Sequence, residues 1–110
     1  MQEKRQHIRY LTKAQAGIPG IFESGGLLKD ISITGCCIEC TRQVNIQPNN
    51  QYTIQVSPEP NANIGKFDLL AESRWIRPKG DSYEMGFMIV ESPKGKQFQR
   101  YVDYLAWRAS

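Results

Sequence analysis

Residues 51–57 alternate apolar and polar side chains without a fault, with Tyr52, Ile54 and Val56 on one side and Gln51, Thr53, Gln55 and Ser57 on the other. A period of two fits a strand with one buried and one wet face, and no helix. The period recurs over 67–76, where Phe67, Leu69, Ala71, Ser73 and Trp75 oppose Asp68, Leu70, Glu72 and Arg74. It recurs again over 83–91, where Tyr83, Met85, Phe87 and Ile89 share a face. Pro78, Lys79, Gly80 and Asp81 supply hairpin chemistry between those two runs, and 57–63, rich in Pro and Asn, reads as a connection. Several short strands at near-regular spacing, with turn residues between them, point to an all-β barrel.

The remaining segments are less regular. Residues 11–23 hold a weakly patterned first strand interrupted by Gly17, Pro19 and Gly20. Gly25 and Gly26 open a strand over 27–32, which simple alternation predicts to carry Leu28, Asp30 and Ser32 on one face and Leu27, Lys29 and Ile31 on the other. Over 36–41 the same rule turns Cys36, Ile38 and Cys40 inward, and 42–50 reads as a loop. The end of the chain changes period. Ser92 and Pro93 resemble a helix cap and first helical position, and Phe98, Tyr101, Val102 and Leu105 follow as one apolar stripe. We therefore read 1–110 as one domain: a flexible basic arm over 1–10, a barrel over 11–91 and a helix over 93–108 packed on it.

Charge placement narrows the ligand. Net charge is +3, and residues 1–13, with Lys4, Arg5, Arg9 and Lys13 against Glu3, carry all of it. Such a distribution suits a small anion better than a long polyanion, whose binders spread basic residues along a face. No apolar run reaches the ~18 residues needed to cross a bilayer, and the basic N-terminus has no apolar stretch behind it. The expectation is a cytoplasmic protein without membrane insertion.

Catalysis is disfavoured by inventory. His7 is the only histidine and sits on the arm, and no phosphate-cradling glycine loop is present. Cys36, Cys37 and Cys40 are three in number and closely spaced, which suits neither a disulfide framework nor a metal centre. On a strand Cys37 and Cys40 point to opposite faces, so buried small hydrophobes is the expected reading. We expect no enzyme activity, no metal and no cofactor.

Two short patterns carry the functional reading. Arg5 and Arg9 bracket a basic arm, and guanidinium groups suit guanine edges and phosphates. Asp30, Ser32 and Gly35 then place a carboxylate, a hydroxyl and a residue without a side chain within six positions. Together, Arg5-x-x-x-Arg9 and Asp30-x-Ser32-x-x-Gly35 resemble the two-part signature of the PilZ domain family, bacterial receptors for the second messenger cyclic di-GMP. The strand through Trp75 and the segment Tyr83, Glu84, Met85, Gly86 resemble that family's closing hairpin, although Gly86-Phe87-Met88-Ile89 departs from the family's frequent G-x-x-F.

The resemblance implies a six-stranded antiparallel Greek-key barrel with a C-terminal helix. It implies cyclic di-GMP as ligand, held by Arg5, Arg9, Asp30, Ser32 and Gly35, with Lys4, His7 and Arg42 as possible rim charges. On this reading the arm orders over the ligand and changes the surface shown to an unidentified downstream protein, as monomer or ligand-dependent dimer, in motility or biofilm regulation. Two other readings stay open. One is a PilZ-like adaptor that binds a protein and no nucleotide; the other is a small β-barrel binding single-stranded nucleic acid. The second is disfavoured because Tyr52, Phe67, Trp75, Tyr83 and Phe87 fall mostly on predicted inward faces.

Overall fold

The protein is described here from a computed structural model covering residues 8–93 and 96–110. Its elements are β1 (Tyr10–Leu11), β2 (Gln15–Ile18), β3 (Phe22–Ile31), β4 (Gly35–Cys40), β5 (Gln51–Ser57), β6 (Phe67–Lys79), β7 (Ser82–Glu91) and α1 (Lys96–Ala109). All pairings are antiparallel, and β2, β3, β4, β7, β6 and β5 close in that order into a six-stranded barrel with one C-terminal helix. The connection from β4 to β5 alone joins barrel strands that are not neighbours, which gives the Greek-key path. That crossover closes one end of the barrel: Ile46 is buried, and Asn49 N–H donates to the Ser73 carbonyl at 2.7 Å.

The alternating runs fold as their period requires. On β5, Ile54 and Val56 are fully buried, with Tyr52 packed partly against them. On β6, Phe67, Leu69, Ala71 and Ser73 point inward until a register shift between Ser73 and Trp75 ends the alternation and leaves Trp75 40% exposed. The expected inward Trp75 is therefore corrected; the bulge re-aims its side chain. On β3 a second shift, between Leu28 and Asp30, puts Leu28 and Ile31 both inside at 0% exposure. The predicted face of Leu28, Asp30 and Ser32 is lost to that extra residue, and the strand begins at Phe22 rather than after Gly25 and Gly26.

At the other end of the barrel lies α1, which buries Phe98, Tyr101, Val102 and Leu105. The Phe67 ring packs against Phe98 and Tyr101 at centroid distances of 6.0 and 5.9 Å. The Ser92 hydroxyl donates to the Asp68 carbonyl at 3.1 Å, Pro93 sits in a turn, and α1 is described from Lys96.

A polar latch joins this helix to the start of the chain. The Tyr101 hydroxyl donates to Glu59 and meets the Thr12 hydroxyl, which in turn accepts from Ala14 N–H at 2.9 Å. Arg108 pairs with Glu59 at 2.5 Å and donates from Nη2 to the Leu11 carbonyl at 2.9 Å. Burial opposes charge on Glu59, but the bonds from Tyr101 and Arg108 outweigh it and hold its pKa below the ordinary carboxylate range.

Candidate functional site

The site begins where β1 pairs with the end of β3, Tyr10 opposite Ile31 and Leu11 opposite Asp30. That pairing shortens the expected arm, since Tyr10 is already in a strand, and it carries Arg9 to the barrel surface. Arg9 Nη1 donates to Asp30 Oδ1 at 2.7 Å, with the arginine half exposed and the aspartate a quarter exposed. The β3 bulge makes this possible, because with Leu28 and Ile31 turned inward Asp30 is left at the rim.

Ser32 and Gly35 shape the turn between β3 and β4. Ser32 N–H donates to the Gly35 carbonyl at 2.8 Å, and Ser32 Oγ accepts from the N–H groups of Thr34 and Gly35, each at 3.1 Å. Ser32 is 1% exposed, so its hydroxyl is occupied by the backbone and does not share an open face with Asp30. Gly35 is needed for close approach. A Cβ there would lie 2.9 Å from the Phe87 carbonyl oxygen and 3.0 Å from Arg9 Nη2. The arginine crosses bare backbone that any side chain would fill.

Beside this pair lies an open concavity of about 360 Å³, lined by Arg9, Thr34, Gly35, Arg74, Trp75, Gly86, Phe87 and Met88. Arg74, Trp75 and Met88 were not among the residues expected from the motifs. Their signal in the sequence is a tryptophan flanked by Arg74 and Arg77 on a strand, with a glycine on the partner strand. Reading strict alternation hid it. Arg74 Nη1 reaches Glu72 at 3.2 Å and the Met88 sulfur at 3.7 Å, and with Arg9 it gives the hollow a second guanidinium. Two guanidiniums, each paired with a carboxylate, Asp30 or Glu72, and an indole beside open backbone suit an anionic ligand with flat, hydrogen-bonding rings that can exchange for those partners.

The other expectations divide. Lys4, Arg5 and His7 lie outside the described residues. Arg42 does not reach the rim: it follows Cys40 at the far end of β4, roughly 17 Å or more from Gly35 by strand rise. It lines instead a hollow with Phe22, Gly25, Cys40 and Thr41. A further hollow of about 370 Å³, formed by residues 43–47 with Ile76, Pro78, Tyr83 and Met85, has no charged group in its wall among the described residues and is a poor place for a dianion. The three cysteines are free and buried; burial pushes the Cys36 thiol up to about 12 and the Cys37 thiol up to about 11.

The barrel-plus-helix fold and the joining of the two motifs define a class. The PilZ domain model matches residues 3–107, and the chain belongs to the PilZ domain family, whose members are generally receptors for cyclic di-GMP. Among solved structures, it is similar to the Bacillus subtilis inhibitor of motility MotI/DgrA, at 21% identity and a TM-score of 0.77 over 98% of this chain. The chain spans 52%, about half, of the length of that protein. None of the curated proteins matches it. Among the described residues no helix is long and apolar enough to cross a membrane.

Proposed function

We propose that this chain is a cytoplasmic receptor for cyclic di-GMP. One observation supports the reading: two motifs whose joined residues are 21 positions apart in sequence meet in space, Arg9 bonded to Asp30 and lying across Gly35. Without ligand, Asp30 neutralises Arg9 and keeps it over the barrel. The ligand brings two phosphates and two guanines. A phosphate, or a guanine O6 and N7 edge, competes for Arg9, and guanine N–H groups satisfy Asp30 in exchange. Arg5, from the segment preceding Ile8, would join Arg9 as the second half of the clamp. Arg74 adds positive charge, Trp75 offers an aromatic wall, and Ser32 contributes by fixing the turn that exposes Gly35.

Ordering of the arm changes the surface around Ile8 and Leu11, both largely exposed, and a partner protein reads that change. The name of the similar Bacillus protein, an inhibitor of motility, makes motility the first process to examine.

Calorimetric titration with cyclic di-GMP, with cyclic di-AMP and GTP as controls, tests the reading. Saturable binding of cyclic di-GMP alone is expected, and Arg9→Ala should weaken it by about 1–3 kcal/mol, or roughly 5- to 150-fold. Full affinity in Arg9→Ala would overturn the assignment of the clamp. No binding by the parent chain would favour the adaptor reading.

A further inference from the structure

Next to the site, on the outer face of β6 and β7, lies an ionic cluster that neither motif includes. Glu84 stands opposite Arg77 in the β6–β7 register and is 3% exposed. Its Oε1 accepts from Arg77 Nε and Nη2 at 3.2 and 3.1 Å, and its Oε2 accepts from Lys29 and Lys79 at 3.0 and 3.1 Å. A buried carboxylate holding three cations fixes the one that grips it with two bonds. The Arg77 guanidinium so fixed lies 4.7 Å from the centroid of the Trp75 ring. Elsewhere the indole presses on Gly86, where a Cβ would fall 2.3–2.6 Å from three of its atoms. Bare backbone and a clamped guanidinium therefore hold Trp75 in one orientation, and Trp75 lines the site while Arg77 does not.

We propose that Arg77 and Glu84 are positioning residues of the nucleotide site, acting through Trp75. The proposal rests on the reading that cyclic di-GMP occupies the hollow beside Arg9. A free tryptophan side chain would have to be immobilised on binding, and an indole fixed in advance avoids that loss. A surface ion pair with no such role would contribute little and would leave the ring indifferent to its removal.

The test uses Trp107→Phe as parent, which leaves Trp75 as the remaining tryptophan of the two; Trp107 is 72% exposed, so the change removes little packing. In this parent, Arg77→Ala should lower the Trp75 fluorescence anisotropy without ligand and weaken cyclic di-GMP binding roughly 3- to 10-fold. Arg77→Lys keeps the charge but loses the fork and the planar contact, and should restore neither. Arg77 is exposed enough to be truncated without unfolding the barrel, and Glu84→Gln, which loosens Arg77 from its other side, should act in the same direction. Unchanged anisotropy and affinity in Arg77→Ala, or full recovery with lysine, would overturn the positioning role while leaving the ligand assignment standing. A parent that binds no cyclic di-GMP would overturn both.

Discussion

Tyr101→Phe removes one oxygen from the middle of the latch and leaves the ring packing against Phe67 in place. Tyr101 is 0% exposed, and its hydroxyl serves Glu59 and Thr12 together. After the substitution Glu59 keeps Arg108 but loses a bond to its charge, which is worth about 1.5–3 kcal/mol. The Thr12 hydroxyl, 7% exposed, still accepts from Ala14 but has no acceptor for its own proton, at a cost of about 1–3 kcal/mol. Against these stands the easier burial of phenylalanine, which returns roughly 1–2 kcal/mol. The net loss should be about 3 kcal/mol, which for a domain of this size lowers Tm by roughly 12 °C. Urea unfolding followed by far-ultraviolet dichroism measures it, and Thr12→Val supplies the second edge of a double-mutant cycle. If the two hydroxyls depend on each other, Thr12→Val with Tyr101→Phe should cost less than the sum of the single changes by about 1 kcal/mol. Additive losses, or a Tyr101→Phe protein within about 0.5 kcal/mol of the parent, would refute the accounting.

Ser73 is buried with no hydrogen-bond partner for its hydroxyl among the described residues, so Ser73→Ala should be neutral or stabilising by up to about 1 kcal/mol, read from the urea midpoint. The bonds to Glu84, from Lys29 first, depress its pKa to about 2, so their stabilisation is present above the ordinary carboxylate pKa and lost as pH falls from about 4.5 towards 2. The urea midpoints of the parent and Glu84→Gln should accordingly differ at pH 7, draw together below about pH 4.5 and converge only as pH approaches 2. Cys36 and Cys37, with raised pKa values, should resist iodoacetamide at pH 8 in the folded protein and react in urea, as mass spectrometry would show. Leu105→Ala, at a position 1% exposed, should cost about 2–5 kcal/mol in the same unfolding assay.

The strands were legible because they repeat the period of a sheet with one buried face, and the resemblance to the PilZ family supplied their closure into a barrel. Ile54 and Val56 on β5, and the stripe of Phe98, Tyr101, Val102 and Leu105 on α1, follow directly from side-chain period. The two bulges were not legible. Nothing in the order of Leu28, Lys29, Asp30 and Ile31 announces an extra residue, because the shift is decided by packing Leu28 and Ile31 into one core. The consequences fall on the site, where Asp30 and Trp75 owe their outward positions to those shifts. Motif spacing brought Arg9, Asp30 and Gly35 into view, whereas Arg74 and Trp75 become neighbours of Arg9 only through strand order. Ser32 shows the opposite limit: a motif position names a residue without saying whether it faces a ligand or its own backbone.

The latch also has a geometric corollary. Arg108, two residues before Ser110, is bonded to the carbonyl of Leu11, so the end of α1 lies against the strand that leads into the barrel. Only Tyr10 lies between Leu11 and Arg9, whose guanidinium is bonded to Asp30. Anything fused behind Ser110, whether an affinity tag or another folded unit, would emerge against the base of the arm. The choice of which end to extend is thus itself a perturbation. A bulky fusion there should report on, or interfere with, the closure proposed above without any signal having to cross the barrel.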